Sequence, residues 1–153
     1  MRLKIQLSYN SFTVPMSYQS ILQGVIYSLL SKDELGDFYH NDGYHYDKKT
    51  FKCFTFSQLF GKYKIENKHL IFDDDFYFYI SSLDEKFLKH IYKTILLNNS
   101  LLINKQQVKI KNISILNLQP FIGTKKICIE TLSPMLIYST KDNYSTYYRP
   151  SDK

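Results

Sequence analysis

His40 and His45 bracket the turn-forming triplet Asn41, Asp42 and Gly43, and Lys48, Lys49 and Lys52 follow closely. Imidazole is the side chain best matched to proton transfer near neutral pH. A cluster of amines beside it suits the neutralisation of a phosphate. The same residues equally describe a solvated basic loop, and either histidine can fill the proton-transfer role. Metal chemistry is disfavoured. Neither HxxxH nor HExxH occurs, and Asp42 and Asp47 sit where a turn wants them. Cys53 and Cys128 form no CxxC pair and each lies in an apolar run, which predicts two buried thiols in a reducing compartment. GxxxxGK and GxSxG are also absent, so nucleotide hydrolysis and acyl transfer have no support.

Tyr27 is the next candidate. From Ser17 onward the apolar residues Ile21, Leu22, Val25, Ile26, Leu29 and Leu30 recur at helical spacing. On that helix Tyr27 lies roughly 150° from the centre of the stripe. Its neighbours there, Ser20, Gly24 and Ser31, are small, so its hydroxyl can be offered to something outside or pack on a loop. The run FYFYIS (76–81) puts Phe76, Phe78 and Ile80 on one strand face and Tyr77 and Tyr79 on the other. There the tyrosines can stack bases or simply serve as good strand formers. Lys109, Lys111, Lys125 and Lys126 can add a basic stripe.

The elements that must position these residues are legible in outline. Leu3, Ile5 and Leu7 alternate with Arg2, Lys4 and Gln6, the period of a half-buried strand. Pro15 breaks the chain before the Tyr27 helix, and 31–39 can form a second, short helix. The stretch from Asn41 to Thr50 reads as a polar loop. Residues 51–57 read as one strand, with Lys52 in phase with Phe54 and Phe56, and 62–65 and 69–72 as a hairpin across Asn67 and Lys68. Ser82 and Glu85 have capping-box spacing before the stripe Phe87, Leu88, Ile91, Tyr92, Ile95 and Leu96. A strand over 106–118 changes phase near Lys111–Asn112, as a β-bulge would, and a last strand is expected over 126–132. Strand, helix, strands, helix, strands predicts an α+β domain. The expected form is a ferredoxin-like (RRM-like) βαββαβ sandwich with both helices on one face of an antiparallel sheet.

Hydrophobic residues make up 44% of the 153 and charged residues 22%, a globular balance. The net charge of +6 biases the chain toward a polyanion without choosing one. No apolar run approaches a membrane span and the N-terminus has no signal-peptide pattern, so a soluble, cytoplasmic protein is expected.

Four segments, in this order, carry a resemblance: ILQGVIYSLL (Ile21–Leu30), FYHNDGY (Phe38–Tyr44), FKCFTFSQLFG (Phe51–Gly61) and ETLSPMLIYS (Glu130–Ser139). Together they are similar to the CRISPR repeat-cleaving endoribonucleases, the Cas6 family. The resemblance implies metal-independent cleavage of precursor repeat RNA. A ribose 2′-hydroxyl attacks the adjacent phosphate, leaving a 2′,3′-cyclic phosphate and a 5′-hydroxyl, with no cofactor. It matches Tyr27 to a base or 2′-hydroxyl-orienting group, His40 to the general acid or base, with His45 as its rival, and Lys52 to the group that stabilises phosphorane charge. Lys48, Lys49, Lys109, Lys111, Lys125 and Lys126 are the expected RNA contacts.

Such proteins carry two ferredoxin-like domains, the second ending in a glycine-rich loop that this sequence lacks. Residues 1–132 are therefore expected to be the N-terminal domain, and 133–153 a linker or the start of a second one. Weak cleavage or none is expected of this chain alone. The competing reading is a non-catalytic module that binds repeat RNA or helps assemble a CRISPR complex. The expected partners are repeat RNA, other CRISPR effector proteins, and a second copy paired through an exposed sheet edge.

Overall fold

The computed structural model describes residues 1–30 and 34–116, with only the backbone of Glu34 and Leu35, together with the backbone of the strands Ile137–Lys141 and Tyr144–Tyr148. The chain divides into two units, Met1–Gln119 and Pro120–Lys153.

The first unit is built on β1 (Arg2–Ser8). Leu3, Ile5 and Leu7 are fully buried on one of its faces, as the alternation predicts. On one side β1 pairs antiparallel with β8 (Phe76–Ser82), which buries Phe76, Phe78 and Ile80 on that same face. On the other it pairs with β10 (Gln106–Leu116). There Gln6 faces Asn112 while Leu7 faces Ile110, so Lys111 is the extra residue of a β-bulge at the predicted place. The outer strands are β5 (Phe54–Phe56) and β9 (Ser100–Ile103), giving the order β5-β8-β1-β10-β9. All four pairings are antiparallel.

The helices α1 (Gln19–Ser28) and α3 (Glu85–Leu96) cover the apolar face, α3 against β8 and β1, and α1 against β9. From α3, Phe87, Leu88, Ile91 and Ile95 enter the core; from α1, Leu22, Val25 and Ile26 do. Each such side chain contributes about 1.5–3 kcal/mol when fully buried. Mixed α/β architecture with an antiparallel sheet and few helices is thus the observed class.

A second sheet of three strands, β2 (Phe12–Pro15), β7 (His69–Phe72) and β6 (Tyr63–Glu66), runs in the order β2-β7-β6. Pro15 ends an edge strand, where its missing N–H costs no ladder bond. The β6–β7 hairpin turns at Asn67 (φ 48°) and Lys68 (φ 61°), and the β9–β10 hairpin at Asn104 (φ 50°) and Lys105 (φ 62°). Two consecutive left-handed residues are the I′ geometry that matches strand twist. In the second unit β11 (Ile137–Lys141) and β12 (Tyr144–Tyr148) pair antiparallel.

Several expectations are corrected. The strand expected over 51–57 is two. β4 (Lys49–Phe51) ends before a tight turn in which Phe54 N–H donates to Lys52 C=O (2.8 Å), and β5 begins after it. The polar loop instead forms a hairpin of β3 (Tyr44–Tyr46) with β4. Its turn contains Asp47 at φ 54°. The cap of α3 is Asp84 rather than Ser82, because β8 runs through Ser82 and uses its hydroxyl to bond Cys53 C=O. Cys53 is exposed, and Cys128 and the strand expected over 126–132 lie outside the described residues. Among the described residues no helix is long and apolar enough to cross a membrane.

Candidate active site

After α1 the chain passes through a single turn, α2 (Glu34–Asp37), into a wide turn over Phe38–Asp42. Gly43 N–H closes that turn on Phe38 C=O (2.6 Å). Gly43 sits at φ +73°, and a Cβ there would lie 2.8 Å from Phe51 O and 3.2 Å from Lys52 Nζ. Only glycine lets the turn close against the Lys52 strand end. Tyr39 points into the core at 5% exposure, and its neighbour His40 is thereby turned outward to solvent.

Three predicted residues come together here. The rings of Tyr27 and His40 meet edge to face, centroids 5.2 Å apart at 71°. Tyr27 is half-buried rather than free on a polar face, because its ring also meets Phe54 (5.7 Å, 87°), which stacks on Phe87 of α3 (4.8 Å, 18°). Lys52 Nζ donates to the backbone carbonyl of His40 (3.0 Å). His40 Nδ1 lies 2.8 Å from Asn41 Oδ1. As a donor to that oxygen, Nδ1 would carry the proton and leave Nε2 to meet a ligand. An open depression of about 630 Å³ borders Tyr27, Ser28, Leu30, Gly36, Asp37, His40 and Asn41. The arrangement can accept and return a proton at a bound ligand, with a cation alongside.

The other candidates are distributed differently. His45 stands on β3 with Nδ1 3.1 Å from Thr50 Oγ1 across the hairpin, and Lys48 and Lys49 are exposed at that hairpin's turn. Lys109 is exposed on β10. Lys111 is ion-paired with Asp75, and that hydrogen bond holds the Asp75 carboxyl below the usual carboxylate range. Lys125 and Lys126 lie outside the described residues. On the sheet face away from the helices, Tyr77 and Tyr79 carry cations: Lys4 Nζ is 4.0 Å from the Tyr77 ring centre, and Arg2 is 5.7 Å from that of Tyr79. Phe60 stacks on Tyr77 (5.3 Å, 21°).

Behind the histidine turn is a contact that sequence reasoning missed. One carboxylate oxygen of Asp84, Oδ2, accepts from both Tyr39 and Tyr44, while Oδ1 accepts the Lys86 N–H (2.8 Å) and so caps α3. Burial alone would raise the Asp84 pKa, but hydrogen bonds from both phenols and from the Lys86 and Phe87 amides outweigh it and hold the carboxyl low. Burial first, then the bond to Asp84, raises Tyr39 well above an ordinary phenol, and the bond to Asp84 raises Tyr44. The space between Lys52, Gly43, Tyr44 and Asp84 measures about 10 Å³, barely one water, so the junction is closely packed. The only sequence signal was Asp84 directly before a helical stripe.

Tyr27 and His40 thus meet beside an open depression, with Lys52 tied to the His40 carbonyl. Residues 13–114 match the family described as CRISPR-associated protein Cas6, N-terminal, and the chain belongs to that family. Among solved structures, one titled CRISPR associated protein Cas6 is 25% identical, with a TM-score of 0.69 over 99% of this chain and 63% of its own. One from Pyrococcus furiosus, described as the product of a Cas6-related gene, is 21% identical, with a TM-score of 0.67 over 100% of this chain and 63% of its own. A third, titled as a RAMP protein binding different RNA substrates, is 18% identical, with a TM-score of 0.67 over 99% of this chain and 64% of its own. The chain therefore spans a little under two thirds of the length of these structures. No curated protein matches it. The family match shows membership, and the solved structures show the fold.

Proposed function

We propose that this chain is the catalytic N-terminal part of a repeat endoribonuclease that cleaves CRISPR precursor RNA without metal. The observation that carries the reading is the contact of the Tyr27 and His40 rings with Lys52 tethered to the same turn. In the proposed step a base, Tyr27 or His40, takes the proton of a ribose 2′-hydroxyl. The O2′–P bond forms as the P–O5′ bond breaks, and a proton returns to the leaving 5′-oxygen. The products are a 2′,3′-cyclic phosphate and a 5′-hydroxyl, and no water is consumed. Lys52 supplies positive charge where the phosphorane becomes more negative. Lys48, Lys49 and Lys109 are proposed to hold the RNA backbone, with Lys125 and Lys126 as further contacts. Lys111 contributes less because Asp75 already neutralises it.

The strand order β5-β8-β1-β10, with α1 following β1 and α3 following β8, supports a ferredoxin-like reading of the sheet with β9 added at its edge. The greater length of the matched structures supports the reading that the chain passes, near residue 133, into a linker or a second domain.

A second reading, a non-catalytic RNA-binding or assembly module, is favoured by one observation. The sheet face away from the helices carries Lys4 and Arg2 over Tyr77 and Tyr79, a surface that suits RNA with no proton-transfer group at hand. Labelled repeat RNA, incubated in EDTA with protein in excess, separates the two. Slow cleavage with a cyclic-phosphate end, lost in His40→Ala and kept in His45→Ala, supports the nuclease. Salt-dependent binding with the RNA intact supports the module, and no binding at low salt sinks both.

A further inference from the structure

We infer that Asp84 is a positioning residue for His40, acting through Tyr39 and Tyr44; the inference rests on the nuclease reading for its consequence but not for its geometry. Tyr39 and Tyr44 enclose the histidine turn, one on each side of the segment His40–Gly43, and both phenols donate to the same oxygen of Asp84. Tyr39 is also wedged against Phe87 of α3 (5.0 Å, 83°), and Phe38 makes edge contacts with both tyrosines. Asp84 is itself fixed by its bond to the Lys86 N–H and by its own N–H, which donates to Ser82 Oγ (3.0 Å). One residue thus joins the end of β8 through its N–H, and the start of α3 and both ends of an otherwise exposed turn through its carboxylate. With Lys52 holding the His40 carbonyl from the opposite strand end, the imidazole is set against Tyr27 from two directions. Neither phenol nor Asp84 touches the depression beside His40, so the three act through position rather than chemistry.

Asp84→Asn isolates the clamp. Asparagine caps helices about as well as aspartate. Its amide, however, offers one oxygen and one NH₂, so it cannot satisfy the Lys86 N–H at one atom and two phenol donors at the other. Tyr39→Phe/Tyr44→Phe removes the same bonds while keeping the rings, and serves if Asp84→Asn does not fold.

Two readouts decide. Nitrogen-correlated NMR of the imidazole should show His40 of the unaltered chain protonated at Nδ1, with ring-current shifts from Tyr27. In the folded variant that signature should broaden or move toward free histidine, and an unchanged signature overturns the inference. In single-turnover cleavage, the rate constant should fall about ten- to a hundredfold, the scale of a misplaced catalytic group. The RNA Kd should stay within about twofold, since no RNA contact is removed. Combining Asp84→Asn with both phenylalanines should cost no more than either alone; multiplied losses would overturn the shared clamp. If the unaltered chain does not cleave, the NMR readout alone decides the role of Asp84.

Discussion

The Lys52 amine donates a 3.0 Å hydrogen bond to the carbonyl of His40, twelve residues earlier in the chain. A lysine proposed to meet a phosphate is thereby also the tie that holds the proposed acid or base in place. The two duties separate by substitution. Lys52→Met keeps the stem and loses both charge and donor, so cleavage should fall by about a hundredfold. Amide exchange in residues 38–43 should rise with it. Lys52→Arg restores a charged donor, so exchange protection should return further than the rate, because a planar fork cannot replace a point charge. Equal recovery of both would mean that Lys52 acts only as the tie.

Gly43 occupies a conformation that costs an L-residue energy, and the space behind it is filled by Phe51 O and the Lys52 side chain. Gly43→Ala should destabilise the chain by at least about 1 kcal/mol through backbone strain alone. It should also displace Lys52 Nζ. Denaturant titration reads the first effect. The second appears as lost cleavage at temperatures where the variant is fully folded.

Asp84 gives the turn a pH dependence with a definite sign. Its carboxyl is held below the ordinary range in the folded chain. Its stabilising bonds are therefore complete above the unfolded value of about 3.9, and are lost as pH falls through the lower folded value. Tyr39 and Tyr44 are raised, so their share is complete below about pH 10 and is lost as pH rises through their folded values. Asp75 is also depressed and contributes in the same acid window. The difference in Tm between the unaltered chain and Asp84→Asn isolates the clamp. It should be flat near neutrality and shrink toward acid. A constant difference across the acid range would show that the carboxylate is not what the phenols need.

Local pattern and long-range chemistry were not equally readable in the sequence. Alternation in β1, the stripe of α3, the Asn67–Lys68 hairpin and the bulge at Lys111 all arise between near neighbours, and each was visible. β9 was not, because Leu101 and Leu102 follow the α3 stripe closely and suit a helix or a strand equally. The β3–β4 hairpin was hidden because its turn lacks the Asn-Gly or Asp-Gly pair that announces such geometry. Tyr27, His40 and Lys52 were legible as types, and the four-segment resemblance gave them roles. Their support was not legible: Tyr39 and Asp84 are 45 positions apart, and nothing in a tyrosine's neighbours says that its hydroxyl will find a carboxylate across the fold.

Gly24 is the last position where sequence and structure together make a test. It lies in α1 one turn before Tyr27, and a Cβ built on it would meet nothing within 4 Å. Among the described residues no packing demands glycine there, and a glycine inside a helix costs about 1 kcal/mol relative to alanine. Gly24→Ala should therefore raise stability by about that amount, read as a higher Tm or denaturant midpoint. On the proposed reading, the open face beside Tyr27 gives RNA a close approach, which an added methyl and, more strongly, a leucine would obstruct. Gly24→Ala should thus stabilise the chain while weakening repeat-RNA binding, and Gly24→Leu should weaken it further without unfolding the helix. A stabilised variant with unchanged RNA affinity would mean that the RNA does not cross this face of α1.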